Sequence, residues 1–250
     1  MIEASVDGHV ATIRLNDPAR RNALSTPLLE RFIAAFEALG PDIRAVVLRA
    51  GPDDRVWCAG FDIKELAPGF DPLAPGTLLT CAFGCVHDCP APVIAMLHGS
   101  AWGGGCDLAL RCDIAIGDPT ASLAFTPARL GLPYDLDGLR RAALRAGLNV
   151  AMEMFATAAP VPAERGHALG LLNHLVPEAE LEQFTYAMAR QIAENAPLSV
   201  TAAKQQLSAL LNALPMPQAD PLRAQALPSE DFREGLAAFV ARRAPVFTGR

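Results

Sequence analysis

Two short glycine-bearing stretches hold the residues whose types and spacing could do chemistry. HGSAWGGGCDLAL, residues 98–110, sets Gly103, Gly104 and Gly105 between a buried strand pattern and an apolar helix pattern. VWCAGFDIKEL, residues 56–66, places Ala59-Gly60 before Phe61-Asp62, again at a strand end with a helical pattern behind it. Three ligand classes suit a glycine turn that opens a helix. A phosphate-cradling P-loop needs a lysine after its last glycine, and none follows. A dinucleotide fingerprint needs Gly or Ala at position 108, where Leu stands, and a place near the N-terminus. The third class is an oxyanion hole. Backbone N–H groups at a helix start point outward with the positive end of the dipole, and glycine lets a carbonyl that is gaining charge come close. A GGG run alone reads equally well as tight helix–strand packing. The second cluster breaks that tie, because two loops ending in exposed N–H groups can hold one thioester oxygen from two sides.

Other reactive side chains are few. Tyr134, one of two tyrosines, lies in FTPARLGLPYDLDG, residues 125–138. It reads either as a half-buried turn aromatic or as a neutral phenol that donates a proton, given the usual phenol pKa of about 10. Cys81, Cys85 and Cys89 surround His87, but C-x3-C-x3-C fits neither zinc knuckles nor ferredoxin runs. Steps of four place the three thiols on one helix face as buried small apolar groups, so no metal site and no disulfide framework is expected. Asp62 reads as a helix cap and His98 as structural. Asp135 and Asp137 read as N-terminal helix residues answering the dipole.

These groups need elements to hold them. The N-terminus reads as a strand, a turn at Asp7-Gly8 and a second strand over 9–16, and strand character also marks 44–50, 92–99, 113–117 and 121–125. A helix from about Thr26 to Leu39 opens with Thr26 as cap and Pro27 at the first helical position. Alternating strands and helices make an α/β fold. Beyond residue 135 the patterns are helical over 135–158, 163–170, 180–194, 197–212 and 230–242, with a proline-rich, irregular stretch at 213–229. Asn195-Ala196-Pro197 marks a hinge, dividing a core of 1–195 from a helical region of 196–250.

Bulk properties exclude several classes. A net charge of −6 without a basic run argues against nucleic acid as a partner. No apolar run reaches the roughly 18 residues that span a bilayer, and no secretory leader pattern is present. A cytoplasmic protein is expected, and its positive mean hydropathy points to buried subunit contacts.

The two glycine clusters, Asn22-Ala23-Leu24 and the T-P-x-x-L-G of residues 126–131 together resemble the crotonase (enoyl-CoA hydratase/isomerase) superfamily, over residues 2–250. The resemblance implies an α/β spiral of β-β-α units binding an acyl-CoA thioester, with C-terminal helices that form a homotrimer or a dimer of trimers. It implies oxyanion N–H groups from Phe61 and Gly104. It also implies acyl-CoA contacts at Arg21, Ala23, Ala59, Gly60, Phe61, Asp62 and Ile63, with Phe239 and Arg243 serving a neighbouring subunit's site. Arg20 and Arg21 would then meet CoA phosphates, although exposed arginines near a turn are more often solvated. Arg242 joins Arg243 at the neighbouring site, and Phe239 reads equally as an interface residue.

Hydratases of the superfamily use two glutamates. The first matches Asp107, and the second falls on Ala128, whose methyl moves no proton. Hydration is therefore disfavoured, an isomerase with one carboxylate stays open, and so does a non-catalytic acyl-CoA-binding paralogue. GSAWGG, FTPARLGLPYDLDG, ATAAPVPAERGHALGLLNHLV and the tail from Ser229 resemble a branch that decarboxylates malonyl-type thioesters such as methylmalonyl-CoA. That resemblance implies that Tyr134 orients or protonates, that Thr126 contacts the carboxylate, and that no metal or organic cofactor is needed beyond the coenzyme A of the substrate. Two departures stand out: Phe61 where that branch has histidine, and the shortened acid Asp107.

Overall fold

The computed structural model describes residues 1–52, 54–67, 69–212, 228–246 and 248, leaving aside the side chains of 210–212. Strands β1 (Ile2–Asp7) and β2 (Val10–Leu15) form an antiparallel hairpin. The chain then winds through a repeated pattern, a long strand, a short strand and a helix. β3 (Ala45–Arg49), β4 (Val56–Cys58) and α2 (Leu78–Asp88) make one turn, after α1 (Thr26–Glu37). β5 (Val93–Leu97), β6 (Ser100–Trp102) and α3 (Gly104–Arg111) make the next, followed by β7 (Ile114–Gly117) and β8 (Ser122–Ala124). Then come α4 (Leu136–Ala146), α5 (Leu148–Thr157), β9 (Val161–Pro162), α6 (Ala163–Ala168), β10 (His174–Leu175), α7 (Leu181–Glu194), α8 (Pro197–Asn212) and α9 (Glu230–Val240).

The long strands pair as β1-β2-β3-β5-β7-β10, parallel from β2 onward, and the short ones as β4-β6-β8-β9. Each turn of the spiral thus contributes to both sheets, and the short strands β4 and β6 aim the two glycine turns side by side. Burial explains the strand sequences. Every residue of β3 and β5 is buried, as expected of parallel strands covered on both faces. Val46 and Leu48 face the main core, while Ala45 and Val47 face α7 through Leu181, Ala189 and Ala193. α1 turns Leu28, Leu29, Phe32 and Phe36 inward at helical spacing.

Several expectations are corrected. The cap of α1 is Ser25, not Thr26. Thr26 is the first helical residue, and its N–H and hydroxyl both bond the Glu65 carboxylate at 3.0 and 2.7 Å. The helical stretch 135–158 breaks at Gly147, whose φ of +86° only glycine adopts readily. The three thiols of 81–89 do not share a buried face, because Cys81 is exposed, Cys85 half-buried and Cys89 buried. Strands as short as β4, β6, β9 and β10 carry too few residues for an alternation to show. Residues 213–227 of the irregular stretch lie outside the described residues.

Candidate active site

The two glycine turns meet. After β4 the chain passes Ala59 and Gly60 under three backbone bonds: Ala59 N to Arg21 O at 3.0 Å, Leu24 N to Gly60 O at 2.7 Å, and Asp62 N to Leu24 O at 3.3 Å. After β6 it passes Gly103, whose N–H bonds Ala124 O at 2.8 Å, and enters α3. A Cβ built on Gly104 would lie 3.5 Å from the Phe61 nitrogen, so the two amides stand close together. Among the described residues neither the Phe61 nor the Gly104 N–H has an acceptor. Two unsatisfied donors at the mouth of a helix N-terminus form a site for developing negative charge.

The glycines of these turns serve different ends. Gly60 has φ +86°, and a Cβ there would lie 2.5 Å from Trp102 O. A Cβ on Gly105 would press on Cys58 Sγ at 2.7 Å. Both positions exclude a side chain by packing. At Gly104, a Cβ would meet nothing nearer than 3.5 Å. The fold has room for a methyl at 104, so the glycine there keeps the space beside the two N–H groups empty.

A cavity of about 60 Å³ opens beside the pair. It is lined by Ala59, Gly60, Phe61, Ile63, Leu66, Pro72, Leu73, Leu79, Gly103, Gly104, Thr126, Pro127, Leu130, Leu132 and Tyr134. Among these described residues there is no Asp, Glu, His, Lys or Arg. The polar side chains are Thr126, half-buried, and Tyr134, only 9% exposed. Ala128 lies between Pro127 and Leu130 on a 3-10 turn and is exposed. The backbone of α9 closes against that turn from the same chain: a Cβ on Gly235 would lie 2.3 Å from Leu130 O. The largest cavity described, about 420 Å³, lies elsewhere, among His87, Arg111, Arg141, Arg145 and Lys204. Arg111 and Arg141 share Asp137, and Lys204 bonds Asp113 at 2.8 Å. It contains neither oxyanion donor, so chemistry rather than size selects the smaller cavity.

Behind Tyr134 lies a buried charge network. The Tyr134 hydroxyl donates to Asp107 Oδ2 at 2.9 Å. Arg111 grips the same carboxylate with Nε to Oδ1 at 3.1 Å and Nη2 to Oδ2 at 3.2 Å, and reaches Asp137 with Nη1 at 2.7 Å. Asp107 is fully buried and absent from the cavity lining. Burial, then the charges of Asp107 and Asp135, push the Tyr134 phenol well above its ordinary value, so it stays protonated and is a weak acid. Burial would pull Arg111 down, but Asp107 and Asp137 together push it up.

The other expected site residues are placed as follows. Ala59, Gly60, Phe61 and Ile63 border the cavity, and Ala23 is buried beside Leu24. Asp62 caps the 3-10 turn Ile63–Glu65 through the Lys64 N–H at 3.1 Å. Arg21 is exposed, with a left-handed φ of 54°, and its carbonyl anchors Ala59. Phe239 is 53% exposed on α9, and Arg243 forks onto Glu234 at 2.6 and 2.7 Å; neither reaches the cavity of its own chain. His98 bonds Asp118 and Thr120 away from the cavity. Sequence reading missed Arg111 and Glu65. The Asp107–Arg111 spacing of four on an apolar helix was the available signal for the first.

This fold and this paired-amide site define a class. The enoyl-CoA hydratase/isomerase family profile matches residues 5–250, and the chain belongs to that family. It is 36% identical to methylmalonyl-CoA decarboxylase of Escherichia coli (strain K12) over 247 residues, covering 96% of this chain and 95% of the relative. It is 35% identical to the human enoyl-CoA hydratase domain-containing protein 3, mitochondrial, covering 97% and 82%. A solved structure of methylmalonyl-CoA decarboxylase in complex with 2-nitronate-propionyl-CoA superposes with a TM-score of 0.96 at 36% identity, covering 100% of this chain and 98% of that one.

Proposed function

We propose that this protein decarboxylates a malonyl-type acyl-CoA, methylmalonyl-CoA giving propionyl-CoA and CO2, and that it does so without metal or organic cofactor. The observation that carries the reading is a pair of unsatisfied N–H groups over a cavity whose described lining holds no acid or base. Hydration and double-bond isomerisation both need a proton carrier at the substrate. Asp107, the carboxylate that the Tyr134 hydroxyl bonds, sits behind Tyr134 in an ion pair with Arg111. Loss of CO2 needs only that the thioester oxygen be held as it takes on charge.

In this mechanism the thioester carbonyl accepts hydrogen bonds from Phe61 N–H and Gly104 N–H, and the Thr126 hydroxyl orients the carboxylate. The C–C bond breaks, its electron pair moves into the enolate held by the two amides, and CO2 leaves. Water then gives a proton to the enolate carbon. Tyr134 is a poor source for that proton, because its phenol is pushed well above its ordinary value and already donates to Asp107. The CoA portion runs past Ala23, Ala59, Asp62 and Ile63 with Arg21 near its phosphates. The likeness to methylmalonyl-CoA decarboxylase supports the choice of acyl group.

We also propose a cytoplasmic homotrimer or dimer of trimers, with the helices after residue 195 as its assembly region and Phe239 and Arg243 facing a neighbour's CoA. Leu198 and Val240, 85% and 78% exposed, support that surface. The test of function offers pure protein methylmalonyl-CoA and crotonyl-CoA separately, with products read by mass spectrometry. Propionyl-CoA from the first and no hydroxybutyryl-CoA from the second is expected. Hydration of crotonyl-CoA alone would overturn the reading, and binding without turnover of either would make the chain a non-catalytic paralogue.

A further inference from the structure

Resting on the decarboxylase reading, we infer that the buried Asp107–Arg111 ion pair is a positioning device: it fixes the direction of the Tyr134 O–H and turns its proton away from the substrate's carboxylate. An ion-paired carboxylate only accepts hydrogen bonds, so in the 2.9 Å contact the donor is the phenol. A phenol has one proton, and here it lies on the far side from the cavity. Arg111 enforces this, holding both oxygens of Asp107 while its third nitrogen is fixed by Asp137 and its Cζ lies over the Phe83 ring, 4.2 Å from the centroid. The Arg111 and Asp107 side chains are 7% and 0% exposed, so water does not substitute for either partner.

The ring itself cannot turn out of this contact. Phe125 meets it edge-on at 5.2 Å, and Phe155, stacked on Phe125, packs at 5.2 Å beside it. Gly138 of α4 lies so close that a Cβ there would be 2.4 Å from Tyr134 Cε1. What Tyr134 offers the cavity is therefore ring and oxygen lone pair, not a donor. A substrate carboxylate placed there has lost its water and gains nothing from the phenol, whereas departing CO2 carries no charge to solvate. The arrangement withholds stabilisation from the bound substrate and keeps it for the enolate at the two amides. Asp107 and Arg111 touch no substrate; both act through Tyr134.

The test replaces the whole ion pair, Asp107→Leu with Arg111→Met, since removing a buried pair together is often neutral for stability where breaking it is not. Freed from Asp107, the phenol turns its proton to the cavity. A carboxypropyl thioether of CoA, which cannot react, is then expected to bind about tenfold tighter, the scale of a hydrogen bond to a charged group. Propionyl-CoA, lacking the carboxylate, should bind within about twofold of wild type. The kcat and KM for methylmalonyl-CoA should both fall, by about tenfold each on the same scale. Adding Tyr134→Phe should abolish the tightening. A pair that only supports the fold would weaken both ligands alike. That result, tightening that survives Tyr134→Phe, or tightening without loss of kcat would each overturn the inference. The binding comparison needs no turnover. Absence of propionyl-CoA from wild type would therefore sink the decarboxylase reading while the ligand comparison still decided the role of the pair.

Discussion

At the scale of single residues, the most telling position is one where the fold makes no demand. Gly60 and Gly105 are dictated by neighbouring backbone and sulfur, but Gly104 has ordinary van der Waals room for a methyl. Gly104→Ala should fold with a Tm within a few degrees of wild type, because alanine also favours a helix start over glycine. Its methyl would stand 3.5 Å from the Phe61 nitrogen, where the thioester oxygen belongs. Turnover is expected to drop by about 10²–10³-fold, the range seen when an oxyanion donor is lost. A stable variant with near-native turnover would remove the amide pair from the mechanism. Tyr134→Phe should be milder, retaining activity within about tenfold, since the lost bond is to Asp107 and is of ordinary strength. A loss of thousands-fold with native stability would restore the phenol as proton donor. The glycine pair was legible in the sequence because glycine before a helix has few uses. The commitment of Tyr134 to Asp107 was not, because no pattern tells which way a hydroxyl proton points.

At the scale of elements, the site depends on helices that are held to one another by charge. α3 and α4 are joined through Asp137, which accepts from Arg111 at 2.7 Å and from Arg141 at 3.2 Å. Sequence reading saw Asp137 only as a helix-start acid answering the dipole. Its partner Arg111 stands 26 residues away in sequence, and such a pairing needs the packing of two helices to exist. α1 shows the same limit, since Glu65 from the oxyanion loop bonds its first turn across 39 residues. Burial raises the Asp137 carboxyl and the two arginines lower it more, leaving it below its ordinary value of 3.8. A folded-state pKa below the unfolded one adds stability that is complete above the unfolded value and fades as pH falls through the folded one. Asp137→Asn should therefore lower stability near neutral pH by about 1–2 kcal/mol, allowing for solvent screening. The two melting curves should converge as pH drops below 3.8. A gap that stays constant across that range would mean that Asp137 acts by shape rather than by charge.

At the scale of the whole molecule, a main core and a smaller one beneath α7 cover the long-strand sheet on both faces, which is why strand and helix patterns in residues 1–194 were readable. Strands covered on both faces spell apolar runs, as VIAML does in β5. Two-residue strands such as β10 exist only because β7 is already there to receive them, His174 beside Ile116. Cysteine burial is likewise a property of the assembled core and not of local spacing. Cys58, Cys106 and Cys112 are fully enclosed, and burial pushes the first and last up to about 12 and the second well above its ordinary value. Cys58 also donates to Asn22 O at 3.1 Å directly beneath the oxyanion loop. Only a thiolate attacks an alkylating reagent at an appreciable rate. In native protein near pH 8, Cys81, the single exposed thiol of the six, should therefore label first. Cys85 should follow slowly, and Cys58, Cys106 and Cys112 should resist until denaturant is added. Mass spectrometry of peptides from timed alkylation gives the order directly. Labelling of Cys58 at a rate like that of Cys81 would mean that the loop carrying the Phe61 amide opens readily. The two N–H groups would then not be the fixed pair that the proposed chemistry requires.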